Sequence, residues 1–316
     1  NVTSIGGDLW IESNATLTSL TGMENVTSIA GFLRIGNNAT LTSLTGLDNV
    51  TSIGGYIHIY GNATLTSLTG LDNVTSIGGG LNISNNDTLT NLSGLDNVTS
   101  IGGALSIYYN DALTCLSGLE NLTSIAGDLS IGHWYYGGNL SLTSLTGLNN
   151  LTSIGGALGI YYNPALTSLT GLDNIDATSI DSLFIIDNSF LSTCEVQSVC
   201  DYLAAPNGTI EIYNNAPGCN SQEEVEEACA VSVKSLSPED EISIFPNPAN
   251  RQLTISSKDG ATIEEVIIYN QIGQIVHQEK PVNDIIDISQ LHTGMYLIEV
   301  VSGQRKIREK LMIEKF

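Results

Sequence analysis

The chain has 316 residues, 41% hydrophobic and 14% charged, with a formal net charge of −23. That acidity excludes nucleic acid and anionic membrane as partners, and the apolar content is too high for intrinsic disorder. No apolar run approaches the ~18 residues a membrane-spanning helix needs, so no membrane-spanning segment is expected.

Residues 1–229 carry one basic residue, Arg34, against twenty-one acidic ones, leaving −20; residues 230–316 carry nine against twelve, leaving −3. This shift marks a boundary near residue 230. Before it, Asn1-Val2-Thr3-Ser4-Ile5-Gly6-Gly7 recurs from Asn25, Asn49, Asn73, Asn97, Asn121 and Asn150, with a period of 24 residues except for one 29-residue unit at 121–149. Val2, Ile5, Leu9, Ile11, Leu17, Leu20 and Met23 are apolar, and later units keep those positions apolar. Leu9-x-Ile11 has the period of a strand, pointing Leu9 and Ile11 inward and Asp8, Trp10 and Glu12 outward. Gly6-Gly7 and Thr21-Gly22 read as corners. Each unit is therefore one coil of a solenoid, and a coil folds only when neighbours bury its faces. Asn14, Asn38, Asn62, Asn86, Asn110, Asn139, Asn163 and Asn188 follow the strands and are expected to form a structural ladder. Asn1 begins mid-pattern, so further residues upstream are expected.

The pattern Leu-x-Ile-x-x-Asn with flanking Leu-x-x-Leu-x-x-Leu, over residues 1–215, resembles leucine-rich repeats of the strand-rich kind found in receptor L domains and Bacteroidetes surface proteins. A 24-residue unit leaves no room for a helix, so the convex side should be strand or turn. Nine rungs are expected, the last two from Leu183-Phe184-Ile185-Ile186 and Ile210-Glu211-Ile212-Tyr213. The solenoid proper is placed at 1–193 and a C-terminal cap at 194–229. In the cap, Val196, Val199, Cys200 and Leu203 have helical spacing, and Ser221 with Glu224 has the pattern of a capping box. Cys194, Cys200, Cys219 and Cys229 do not have paired zinc-ligand spacing and read as two disulfides. Three connectivities are possible, with Cys194–Cys219 and Cys200–Cys229 favoured. Cys115 replaces a Ser and reads as an inert thiol.

A linker spans 230–241, with a small β-sandwich expected over 242–316. Its motifs run in order: Phe245-Pro246-Asn247-Pro248-Ala249, then Ile267 to Val276 around Gly273, then Thr293-Gly294-Met295-Tyr296, and a closing Lys306 to Ile313 with Lys310. They resemble the type A sorting domain of Bacteroidetes type IX secretion cargo. The resemblance implies an all-β fold and interaction with the type IX machinery. It also implies passage to the outside of the outer membrane and removal of the domain by a surface sortase, with cleavage around Val231–Glu241. The mature protein would be secreted or attached to the cell surface.

No catalytic constellation, cofactor motif or metal-ligand set stands out, so an enzyme is not expected. Asp173, Asp176 and Asp181 are isolated acids of the sort turns ordinarily carry. The Asn-x-Ser/Thr triplets read as a by-product of the repeat. Variation within the constant frame is more informative. Trp10, Phe32, Arg34, Tyr56, His58, Tyr60, Asn82, Tyr108 and Tyr161 take outward strand positions, Tyr109 and Tyr162 follow at strand ends, and Tyr213 joins from the last rung. The long unit adds His133-Trp134-Tyr135-Tyr136 between glycines, and solenoid insertions become loops, often on the binding face. The leading expectation is a cell-surface recognition or adhesion module binding protein or glycan through Trp10, Arg34, Tyr56, His58, Tyr60, Tyr108, Tyr109, His133, Trp134, Tyr135, Tyr136, Tyr161 and Tyr162. The alternatives are a passive spacer or surface-layer element, and an ice-binding protein using Thr16-Leu17-Thr18 and its repeats, which Ala112, Ser141 and Ala165 interrupt.

Overall fold

The computed structural model describes residues 2–232, 242–247, 249–257, 263–270, 274–280, 285–302 and 305–315. They form two compact units, Asn1–Cys229 and Ala230–Phe316.

In the first unit each coil contributes a strand such as Leu9–Glu12 or Ile57–Tyr60, and most add a two-residue strand such as Ser4–Ile5 or Ser52–Ile53. Among the described residues, the longer strands stack into a nine-stranded parallel sheet ending at Ile210–Tyr213, and the short ones into a seven-stranded sheet ending at Ser153–Ile154. A constant period fixes the register: Leu9 pairs with Leu33, Leu33 with Ile57, Ile57 with Leu81 and Leu81 with Leu105. Strand alternation then turns Leu33, Ile35, Ile57, Ile59, Leu81 and Ile83 inward, where all are fully buried. Leu41, Leu44, Leu47, Val50 and Ile53 fill the same core from the remaining sides of the coil. Leu9, Ile11, Leu17 and Met23 pack against this core and are partly buried.

Of the two corner signals, Thr21-Gly22 is the left-handed one. Gly22, Gly46, Gly70, Gly94, Gly118, Gly147 and Gly171 all have φ between +107 and +116°. Each of these amides is held by the acidic or amide residue two positions on, as Gly94 N donates to Asp96 Oδ2 at 2.8 Å. At Gly94 an added Cβ would also lie 2.2 Å from Leu68 O. Gly94→Ala is therefore expected to cost about 2–3 kcal/mol in denaturant unfolding, from backbone strain plus the clash.

The asparagines form the expected ladder. Asn86 Nδ2 reaches Ile59 O at 3.1 Å, Ser84 O at 3.1 Å and Asn110 Oδ1 at 3.2 Å, while its Oδ1 accepts from the backbone N and Nδ2 of Asn62, both at 3.2 Å. Asn38 to Asn188 are fully buried, and Asn215 ends the ladder, accepting from Asn188 N at 3.0 Å. The residue before every ladder Asn except Asn139 is left-handed: Ser13, Asn37, Gly61, Asn85, Tyr109, Tyr162, Asp187 and Asn214 have φ of +55 to +64°. A second Asn column lies on the exposed corner, where Asn73 Nδ2 donates to Asp48 O at 2.6 Å and Asn97 Nδ2 to Asp72 O at 2.7 Å.

The cap has two helices, α1 (Gln197–Ala204) and α2 (Gln222–Ser232). Val196, Val199, Cys200 and Leu203 face the core, joined by Tyr202, whose hydroxyl donates to Asp181 O at 3.1 Å and accepts from Gly208 N at 3.1 Å. Ser221 Oγ caps α2 by accepting from Glu224 N at 3.2 Å. Glu224 departs from the capping box: its Oε2 accepts from Gly218 N at 2.7 Å and Asn220 N at 3.0 Å, tying down the preceding turn. Cys194 is bonded to Cys219 and Cys200 to Cys229. Cys115 is a free, half-buried thiol.

The second unit has two antiparallel sheets among its described residues. One joins Ile242–Phe245, Gln252–Ser257 and Ile285–Asp287; the other joins Ile275–Glu279, Glu265–Tyr269, Gly294–Ser302 and Arg305–Ile313. Leu253, Ile255, Val266, Ile268, Ile286, Ile298, Val300, Leu311 and Ile313 form its core. Asn247 Oδ1 accepts from Met312 N at 2.9 Å, and Ala249 bridges Ile313, so the first and last motifs meet. Pro246 and Gly294 lie at the ends of strands, and Tyr296 Oη donates to His292 O at 3.0 Å. Pro248, Gly273, residues 233–241 and the side chain of Lys310 lie outside the described residues.

Candidate functional site

The outward positions of the nine-stranded sheet form a column running Trp10, Arg34, His58, Asn82, Ser106, Ser130, Gly159, Phe184 and Glu211. A parallel column on the same face holds Glu12, Gly36, Tyr60, Ser84 and Tyr108, and later Tyr161, Ile186 and Tyr213. The variable aromatic residues therefore share one wall, and they form three groups.

The first group spans rungs one to three. The Tyr60 ring lies over Gly36, where a Cβ would come within 2.2 Å of it. Tyr60 Oη donates to Glu12 Oε1 at 2.7 Å and accepts from Arg34 Nη2 at 2.9 Å. Arg34 is ion-paired with Glu12, and its guanidinium carbon lies 5.6 Å from the Trp10 ring centroid and 5.1 Å from that of Tyr60. His58 stacks on Tyr60 at 4.4 Å, with Tyr56 and Phe32 following edge-on. The one cation of residues 1–229 thus has its charge and ring contacts met within the face, where it staples rungs together. Burial, then the nearby Arg34, holds the His58 pKa below its ordinary value. Burial raises that of Tyr56. Trp10 remains 60% exposed.

The second group is the insertion. His133 and Gly137 exchange backbone hydrogen bonds at 2.8 and 2.9 Å, closing a tight loop. His133 Nδ1 sits inside it, accepting from the backbone N of Tyr135 at 3.1 Å and of Tyr136 at 3.3 Å. Burial lowers the His133 pKa, so the neutral ring is favoured. Tyr136 stacks on Tyr108 at 5.8 Å, which anchors the loop to the sheet, and Tyr109 packs beside Tyr108 at 6.1 Å. Trp134, Tyr135 and Tyr136 are 67%, 72% and 51% exposed.

The third group is Tyr161, Tyr162, Phe184 and Tyr213. Tyr161 lies over Gly159, stacks with Phe184 at 6.3 Å and has its pKa pushed up to about 12, mainly by burial. Tyr162 hydrogen-bonds Asp187, which raises its phenol pKa. Tyr109 and Tyr162 hold left-handed backbone where other rungs use Ser, Asn, Asp or Gly, at a cost of about 1 kcal/mol each. Such strain is the kind retained at functional positions.

Between the second and third groups is a cleft of about 190 Å³ lined by Ser106, Asp128, Leu129, Ser130, His133, Trp134, Ala157, Gly159 and Tyr161. Ser106, Asp128, Ser130 and Gly159 escape a search for conspicuous side chains. The signal that finds them is negative: the outward column turns small beside the one lengthened unit.

Several other sequence candidates have structural partners. Thr40, Thr64 and Thr88 each donate to backbone carbonyls of the preceding coil, Thr64 Oγ1 to Ala39 O at 3.1 Å and Leu41 O at 3.0 Å. The protons of these hydroxyls are therefore donated within the stack. Asp173 Oδ2 accepts from Gly171 N, and Asp176 caps a short 3-10 turn through Thr178. The buried ladder asparagines of the Asn-x-Thr triplets are out of reach of a modifying enzyme.

Comparison with protein families gives two matches. Residues 73–136 match the receptor L domain, and residues 243–314 match the secretion system C-terminal sorting domain. No curated protein matches the chain. No helix among the described residues is long and apolar enough to cross a membrane. The sorting domain marks the chain for type IX export, to the cell surface or into the medium, and implies contact with that machinery. The chain joins a leucine-rich-repeat solenoid of the receptor L kind to a type IX secretion sorting domain.

Proposed function

We propose that this is a non-enzymatic recognition or adhesion protein of the cell exterior, which binds its ligand on the outer strand face of the solenoid. The observation that carries this reading is the insertion loop. It holds Trp134, Tyr135 and Tyr136 largely in water, on the same wall as Trp10 and Tyr161. Leaving three large rings exposed opposes solubility, and a rigid aromatic patch gains by being covered. The receptor L match over residues 73–136 supports the same reading, because such a domain suggests binding. Against catalysis, His133 is bound through Nδ1 to its own loop and His58 is stacked into the Arg34 network.

The sorting domain would serve as an address, removed by a surface sortase within 230–241 after export. Replacing Trp134 and Tyr135 together by Ala is expected to reduce adhesion to surface polymers or partner cells at least tenfold with little change in stability. Adhesion equal to that of the parent would refute the reading and favour a spacer.

A further inference from the structure

We propose that the cleft between the insertion loop and Tyr161 seats one pyranose ring of an uncharged extracellular glycan. The inference rests on the reading above that the strand face binds a ligand, and it narrows that ligand to a chemical class.

Size comes first. At about 190 Å³ the cleft lies below the roughly 300–1,000 Å³ typical of sites that enclose a whole small ligand. It suits one ring-sized group of a chain that continues along the wall on either side.

Chemistry comes second. A sugar ring has an apolar C–H face and a rim of hydroxyls that both donate and accept. The cleft offers both surfaces: Trp134 and Tyr161 as ring walls, and a floor of Ser106 and Ser130 with Asp128 beside it. Asp128 Oδ1 already accepts from Ala157 N at 2.8 Å, and an ionised carboxylate has acceptor capacity beyond one bond. Ser130 Oγ donates to Gly132 O at 2.7 Å, so it meets a ligand as an acceptor. His133 supplies the opposite polarity. With Nδ1 accepting from two backbone amides, the neutral ring carries its proton on Nε2, which is a donor.

Charge comes third. Residues 1–229 carry −20, and their one basic residue, Arg34, is engaged with Glu12 and Tyr60, which disfavours uronic, sulfated or sialylated chains. A cationic ligand would use Asp128 but leave the His133 N–H opposed to it. A neutral polyol uses both.

Two tryptophans make the test direct, because Trp10 and Trp134 give two indole N–H resonances, assigned by the loss of one in Trp134→Phe. The full-length chain is titrated with cello-, manno-, xylo- and chito-oligosaccharides as uncharged probes, and with oligogalacturonate, heparin and chitosan oligosaccharides as charged ones. At least one uncharged series is expected to saturate, moving the Trp134 indole and leaving the Trp10 indole in place, with no saturation by charged probes. Ser106→Phe, which fills the floor, and the isosteric Asp128→Asn are each expected to weaken that binding at least tenfold in calorimetry. The inference is overturned if no uncharged series saturates, if only charged probes do, or if both variants bind as the parent does. Adhesion lost in the Trp134/Tyr135 double variant but kept in Ser106→Phe would leave the strand-face reading standing and remove the glycan cleft. Adhesion kept in both would remove both.

Discussion

Replacing Asn86 by Ala is expected to lower the unfolding free energy by about 3–5 kcal/mol, the largest single-residue effect anticipated outside the hydrophobic core. Asn86 is fully buried, and its amide satisfies the carbonyls of Ile59 and Ser84 while holding the backbone N–H of Asn62. Truncation removes those bonds and strands buried donors and acceptors on two coils at once, which costs more than the bonds themselves contribute. Asn73 supplies an internal control. It lies on the exposed corner of an interior coil, and its side chain donates to Asp48 O at 2.6 Å. Asn73→Ala is expected to cost under about 1 kcal/mol for that reason. Chemical denaturation of both variants checks the pair; equal costs would mean that the ladder contributes little.

Loss of the two disulfides is expected to have a comparable effect, confined to the end of the stack. They join residues 25 and 29 positions apart, and loop closure of that length corresponds to about 3–4 kcal/mol each in the chain-entropy account. The cap they hold lies against the last rung, Ile210–Tyr213, which is an edge strand of the nine-stranded sheet. An uncovered edge templates strand addition. Cys194→Ala with Cys219→Ala is therefore expected to lower Tm and to promote self-association visible by light scattering. A variant that stays monomeric with an unchanged Tm would contradict the capping role.

Much of the solenoid was legible because the repeat states it many times. One coil's alternation of Leu9 and Ile11 is weak evidence; seven copies, 24 residues apart except across the one lengthened unit, specify strand, register and inward face together. The ladder asparagines were legible for the same reason. The short Ser-Ile strands were not, since two residues cannot display a period. Outside the longer strands only strand or turn was expected, and it is neighbouring coils that make a sheet of the Ser-Ile pairs. Among the site residues, placement on one wall followed from periodicity, whereas engagement did not. Arg34, Tyr60 and His58 were candidates for ligand contact, yet they contact one another and Glu12. That depends on Gly36 leaving space for the Tyr60 ring, a relation across two coils that no local pattern contains. The cleft was hidden for a related reason: its floor consists of Ser106, Ser130 and Gly159, which have meaning only once stacked beneath Trp134 and Tyr161.

Oxidative footprinting of the full-length chain, free and in the presence of the surface polymers tested for adhesion, tests most directly whether the aromatic wall is the recognition surface. Trp134, Tyr135 and Tyr136 are expected to lose reactivity on binding, with Tyr161 shielded further. Phe190 is 68% exposed and follows its ladder asparagine as Thr16 and Thr40 follow theirs, off the strand face, so it should oxidise equally in both states. Protection at Phe190 with Trp134 and Tyr135 unchanged would contradict the account.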